Sequence, residues 1–203
     1  MKRTVGAIFF EGFELLDIFG PLEMFGVLPE QFEIVAVGER VGPVASAQRT
    51  SALIEHTFAD APQIDVILLP GGIGTRREAN NTAMLDFLRT RAKRAEIVAS
   101  ICTGAGVLAA AGLLDGKRAT TNKSVWSWPV SQGPKATWVP QARWVEDGNV
   151  FTAGGVAAGI DMALAVIARL LGDEVAMRVA DGTEYDWHRD AGWDPFAAKF
   201  GLV

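Results

Sequence analysis

The chain has 203 residues, of which 49% are hydrophobic and 21% charged, a balance that suits one soluble domain with a sizeable core. Its 19 basic and 24 acidic residues give a net charge of −5, and no Lys/Arg cluster stands out, so neither a nucleic-acid surface nor a nucleic-acid partner is expected. A single cysteine forms no intramolecular disulfide, and with only two histidines, His56 and His188, far apart in sequence, no metal-ligand spacing exists.

The N-terminus, M-K-R-T-V-G-A-I-F-F-E-G, starts like a signal peptide but meets Glu11 and Glu14 after too short an apolar run. Val5 to Phe10 is predicted as a first strand, buried on both faces. No apolar segment reaches membrane-spanning length, and a soluble, reducing, cytoplasmic setting is expected. Leu15, Leu16, Phe19, Leu22, Met24 and Phe25 recur at helical spacing, with Gly20-Pro21 predicted to kink or restart the helix.

F-E-I-V-A-V is a second strand and D-V-I-L-L-P-G-G a third, ending in a Pro-Gly-Gly turn. T-R-R-E at Thr75 to Glu78 reads as a solvated helix start, and Asn81 to Arg94 as an amphipathic surface helix. E-I-V-A-S-I-C is a fourth strand, followed by a helix from Thr103 to Leu114. Short β-like pieces, A-T-W-V, A-R-W-V and N-V-F-T, then surround E-D-G-N, a hairpin turn between Val145 and Val150. Trp126 and Trp128 share one face if their segment is extended, as core or dimer contacts or as a pocket wall. The apolar G-V-A-A-G-I-D-M-A-L-A-V-I-A-R-L-L-G is a long helix stopped at Gly172 and packed beneath the sheet. Strands alternating with helices predict one α/β domain over residues 1–203, with a mostly parallel central sheet covered by helices on both faces.

Cys102 in A-S-I-C-T-G-A-G falls where the fourth strand passes into a helix, at the end of a parallel sheet where ligands collect. A buried, inert cysteine is the plain reading of a lone thiol. Against it, helix N–H groups and partial positive charge favour a thiolate, and Gly104 and Gly106 permit a sharp turn that presents the sulfur. These residues predict a thiol of lowered pKa.

L-L-P-G-G, A-S-I-C-T-G-A-G, R-A-T-T-N and G-V-A-A-G-I-D-M-A-L, with the early E-L-L-D-I-F-G-P-L-E-M-F and the late Y-D-W-H-R-D, follow in the order of one superfamily. The chain resembles the ThiJ/PfpI superfamily, class I glutamine-amidotransferase-like flavodoxin folds, over essentially its whole length. It looks most like the isocyanide-hydratase branch and the related domains of AraC-type regulators. The resemblance implies a flavodoxin-like sandwich, a homodimer, a small-molecule substrate and no cofactor.

It also implies Cys102 as nucleophile, Thr103 beside it, Asp17 as the acid near the cysteine, and a Gly72 N–H pointing at the site as oxyanion donor. Glu14 and Glu23 are the alternatives to Asp17. Where many members carry histidine after A-T-T this chain has Asn122, and where serine is frequent it has Ala153. Asparagine takes no proton at neutral pH, which disfavours Cys–His peptidase or amidase chemistry. His188 could substitute only if the fold brought it near. Hydration of an isocyanide to an N-substituted formamide survives both departures. A free-standing ligand- or redox-sensing domain and a glyoxalase- or deglycase-like enzyme for small aldehydes are the rival readings.

Overall fold

The computed structural model describes residues 2–203. Its apolar runs become β1 (Arg3–Ile8), followed by α1 (Leu15–Gly26), β2 (Phe32–Gly38), the hairpin β3 (Gly42–Ala45) and β4 (Ser51–Ile54), and the short β5 (His56–Thr57). Next come β6 (Val66–Leu69), α2 (Thr75–Glu78), α3 (Thr82–Ala92), β7 (Ile97–Ile101) and α4 (Gly104–Ala110). β8 (Arg118–Ala119), α5 (Ser127–Gln132), β9 (Thr137–Trp138), β10 (Trp144–Asp147) and β11 (Val150–Ala153) precede α6 (Ala158–Leu171), α7 (Asp173–Gly182) and α8 (Pro195–Lys199).

Seven strands form the central sheet in the order β10-β11-β7-β6-β1-β2-β5. All neighbours pair in parallel except β10 and β11, whose antiparallel hairpin turns through Gly148 at φ +66°. The interior strands β6, β7 and β11 are buried at every position, which explains why β6 is wholly Val, Ile and Leu and why β7 and β11 are interrupted only by the small Ser100 and Thr152. The chain steps outward from β1 to β2 and returns on the other side at β6. Their carboxyl ends therefore part at a topological switch point, where an open sheet leaves a crevice.

Several expectations are corrected here. α1 carries through Gly20-Pro21 as one helix: Pro21 lies inside it, and Gly20 lies so close to α6 that a Cβ would meet Ile160 at 2.8 Å. Packing against α6 compensates for the backbone bond that proline cannot donate. Trp126 and Trp128 are not extended but sit at the start of α5, so they do not share a face. Trp126 meets Trp138 edge-on at 6.0 Å, while Trp128 lies against Gly106. T-R-R-E does form a helix, but Thr75 and Glu78 are buried rather than solvated, because the turn is folded onto the loop after β6.

Candidate active site

Cys102 is the first residue beyond β7 and adopts φ +54°, a left-handed conformation that costs a side-chain-bearing residue on the order of 1 kcal/mol or more. Its surroundings hold it there. Its N–H donates to Gly154 O at 2.9 Å and Ala153 O at 3.2 Å, at the end of β11, and its carbonyl accepts the Thr121 hydroxyl at 2.7 Å. Gly104 then lets the chain turn sharply: a Cβ there would fall 2.7 Å from the carbonyl oxygens of both Leu69 and Pro70. The strand–Cys–helix corner expected from the sequence is thus a strained elbow at the sheet's carboxyl edge.

Asp17 reaches the same point from the first turn of α1. It is wholly buried, its Oδ2 accepts the Gly71 N–H at 2.8 Å, and its Oδ1 has no hydrogen-bond partner. Burial pushes this carboxyl well above the ordinary carboxylate value; the Gly71 N–H opposes the rise, the charge of Glu14 adds to it, and the Cys102 thiol, within reach of the carboxyl, opposes it slightly. Asp17 therefore favours its protonated form. Glu14 is half-buried, its carboxylate accepting from Gln48 Nε2 at 2.6 Å, and Glu23 is exposed. Of the three acids, Asp17 is the one enclosed beside the thiol.

The thiol does not have the lowered pKa that the helix start suggested. Burial pushes it up, and an ionised Asp17 would push it further; the Thr103 N–H and the nearby Asn122 side chain pull the other way without prevailing. The reason is that α4 has only seven residues and Cys102 is 6% exposed, so desolvation outweighs the helix terminus. Cys102 and Asp17 face each other as two groups that both resist ionisation.

Thr103 binds the Pro70–Gly72 loop. Its Oγ1 accepts the Gly72 N–H at 3.0 Å and lies 3.1 Å from Thr75 Oγ1, which donates to Gly72 O at 2.7 Å. Gly72 stands at φ +116° with no room for a Cβ against Gly12 and Glu14, which accounts for glycine there. Its N–H is taken up by Thr103, and that of Gly71 by Asp17. The loop meets the cysteine through these two side chains.

Two features went unremarked in the sequence. The Arg76 guanidinium stacks over Trp128 at 4.4 Å, donates to Gly72 O at 3.3 Å, and is close enough for a thiolate charge at Cys102 to stabilise it. Lys123 and Asp194 face each other at 3.5 Å with both side chains 1% exposed. Neither cluster has a sequence motif, since each joins segments distant along the chain. His188 belongs elsewhere: its N–H donates to Asp161 Oδ1 at 2.9 Å and its ring packs on Trp193, while Asp161 also binds Arg143 and Tyr185. No metal-binding cluster of His, Cys, Asp or Glu exists among the described residues, and none of their helices is long and apolar enough to cross a membrane.

Several known proteins resemble the chain in sequence and fold. An isonitrile hydratase from Pseudomonas putida is 38% identical over 185 residues, covering 91% of this chain and 79% of the relative. The crystal structure of a ThiJ/PfpI family protein from Pseudomonas syringae superposes with a TM-score of 0.84 at 32% identity, covering 92% of this chain and 76% of that one. The HTH-type transcriptional regulator GlxA of Rhizobium meliloti is 30% identical over 154 residues, but they make up 74% of this chain and only 46% of the regulator. The DJ-1/PfpI family model matches residues 3–169. With its parallel sheet, its strained cysteine elbow and this match over most of its length, the chain belongs to the DJ-1/PfpI family.

Proposed function

We propose that the protein is a cysteine-dependent hydratase that adds water to an isocyanide, R–N≡C, to give the N-substituted formamide. One observation carries the reading: a buried, proton-favouring Asp17 with an unpartnered oxygen stands beside a strained cysteine, and asparagine rather than histidine follows at position 122. That set suits a reaction needing a nucleophile and a proton carrier but no strong base.

Sγ of Cys102 attacks the terminal carbon, forming the S–C bond as Asp17 gives its proton to that carbon. The thiol's own proton replaces it on the carboxyl, and the product is a thioimidate, R–N=CH–S. Asp17 then gives the proton to nitrogen as water adds to the same carbon, and takes one proton from that water. Breaking the C–S bond of R–NH–CH(OH)–S releases R–NH–CHO, and the sulfur recovers its proton. Atoms balance as R–N≡C plus water. The Thr103 N–H, which already acts on the sulfur, is the donor placed for charge developing on the adduct, while the Thr103 hydroxyl holds the Gly72 loop against the site. Arg76 adds a fixed positive charge at that side.

Assay of the purified protein against a simple isocyanide, a dicarbonyl and an amide tests the assignment. Formamide from the first alone is expected, and its absence would overturn it. The second reading is a sensing domain, favoured by the near-complete burial of Cys102 and by the similarity to part of a regulator. No turnover, together with oxidation of Cys102 that changes partner binding, would establish it; turnover of the dicarbonyl would indicate the aldehyde-handling alternative. We further propose a cytoplasmic location and a homodimer, the dimer supported by Leu16 and Phe19, each 43% exposed on α1.

A further inference from the structure

We propose that a small cavity walled by Asn122, Val156, Phe196 and Phe200 receives the substituent on the substrate's nitrogen and selects an uncharged, apolar one. The inference rests on the hydratase reading for its substrate class, but the cavity itself is independent of it.

The cavity holds about 190 Å³ and opens between the segment after β8 and the C-terminal helix α8. Asn122 belongs both to it and to the thiol's surroundings. The asparagine is not free to swing away, because its Oδ1 accepts from Ser124 N at 2.9 Å, Ser124 Oγ at 2.7 Å and Val125 N at 3.2 Å. Gly155 packs flat on its amide, where a Cβ would collide. An isocyanide is linear at carbon and nitrogen, so a substituent lies beyond the carbon that sulfur attacks and needs a space adjoining the thiol. Asn122 is the residue common to the thiol's surroundings and the cavity, so a substituent that passes it from the thiol enters that space.

The floor of the cavity carries charge but offers none. Lys123 Nζ is consumed by Thr120 Oγ1 at 2.8 Å, Thr121 O at 3.0 Å, Ala142 O at 2.7 Å and Asp194 Oδ2 at 3.5 Å. Asp194 spends its other oxygen capping α8 through the Phe196 N–H at 3.0 Å. Burial lowers Lys123 to about 8, the mark of an ammonium with little water around it. A charged substituent would find no free counter-ion there and would lose its own hydration. Phe196 and Phe200, one helical turn apart and 42% and 47% exposed, offer apolar surface that such a substituent would cover.

The test applies two reagent series to the intact protein. Methyl, butyl, cyclohexyl and carboxyethyl isocyanides are compared as substrates, and N-methyl, N-butyl and N-cyclohexyl iodoacetamides as alkylators of Cys102, followed by intact mass. Turnover efficiency and alkylation rate should rise with apolar size, by up to about 4-fold per methylene, and turnover should fall for the carboxylate. Val156→Trp, which fills the cavity, and Phe200→Ala, which opens its wall, should each cut the butyl-to-methyl ratio by roughly 5-fold or more. A ratio taken within one preparation is insensitive to the fraction folded. Size-dependent alkylation without any isocyanide turnover would overturn the hydratase reading and leave the cavity standing. A flat alkylation series, or a ratio that survives both substitutions, would overturn the cavity assignment.

Discussion

The Asp17 carboxylate and the Gly71 N–H meet at 2.8 Å, so the acid beside the cysteine is positioned by the loop that ends β6. This one bond uses Oδ2 and leaves the buried Oδ1 without a hydrogen-bond partner, at a cost that a purely structural carboxyl would not be expected to carry.

Asp17→Asn should separate function from stability. Isocyanide turnover should fall roughly 10²-fold or more, the usual scale of a lost proton carrier. Alkylation of Cys102 should hold or rise, since it needs only the thiolate. The fold favours protonated Asp17, so the folded pKa lies above the ordinary 3.8 and ionisation opposes folding as pH climbs from that value. The variant should therefore melt higher than the parent, by a margin small near pH 4 and larger near neutrality. Thermal melts across that range check it; equal losses of turnover and alkylation would make Asp17 a holder of the cysteine instead.

Thr103→Val should strand the Gly72 N–H inside the protein, an omission costing about 1–3 kcal/mol. Thr103→Ser restores the hydroxyl and should recover most of both stability and turnover. If valine leaves kcat and melting temperature unchanged, the Thr103–Gly72 bond is not what shapes the loop.

Lys123→Met should be among the most damaging single changes away from the cysteine. It leaves Asp194 buried without its cation, a loss of about 3–5 kcal/mol. Combining it with Asp194→Asn should recover part of that loss. Chemical denaturation of the two single variants and the double measures the coupling, and simple additivity would show that the ion pair is not the source.

Leu16→Glu and Phe19→Glu on α1 should yield a monomer if that face joins two copies. Light scattering over a dilution series reads the outcome. A parent protein that is monomeric at micromolar concentration would contradict the dimer.

The parts of this molecule legible in the sequence are those whose pattern is local. β6 announces itself as an unbroken apolar run and β7 as one interrupted only by Ser100, because both faces are covered, and the Gly148 turn because its φ of +66° suits glycine. Cys102 and its two glycines were readable as a corner for the same reason. The unbroken α1 was not, because what carries it past Pro21 is α6, whose contact at Ile160 lies far along the chain. The helical setting of Trp126 and Trp128 was hidden likewise, since an isolated W-S-W has no distinguishing period. The β3–β4 hairpin and α7 left signals too weak to place. Lys123 with Asp194, and Arg76 over Trp128, are products of tertiary folding alone.

Thiol ionisation is where local and tertiary reasoning part most sharply, and it gives the last prediction. A cysteine at a helix start reads as a lowered-pKa group, but burial and the facing Asp17 push Cys102 the other way. Ultraviolet titration of thiolate against a Cys102→Ser control should show a midpoint above the ordinary 9.0. Asp17→Asn removes the negative charge that raises the thiol and should bring its midpoint down, while burial keeps it from reaching the range of an exposed reactive thiolate. Alkylation at fixed alkaline pH should accelerate in step. A parent midpoint near neutrality would mean that the α4 terminus outweighs burial after all. The nucleophile would then exist as thiolate before substrate arrives, and Asp17 would serve only the later protonation of carbon and nitrogen.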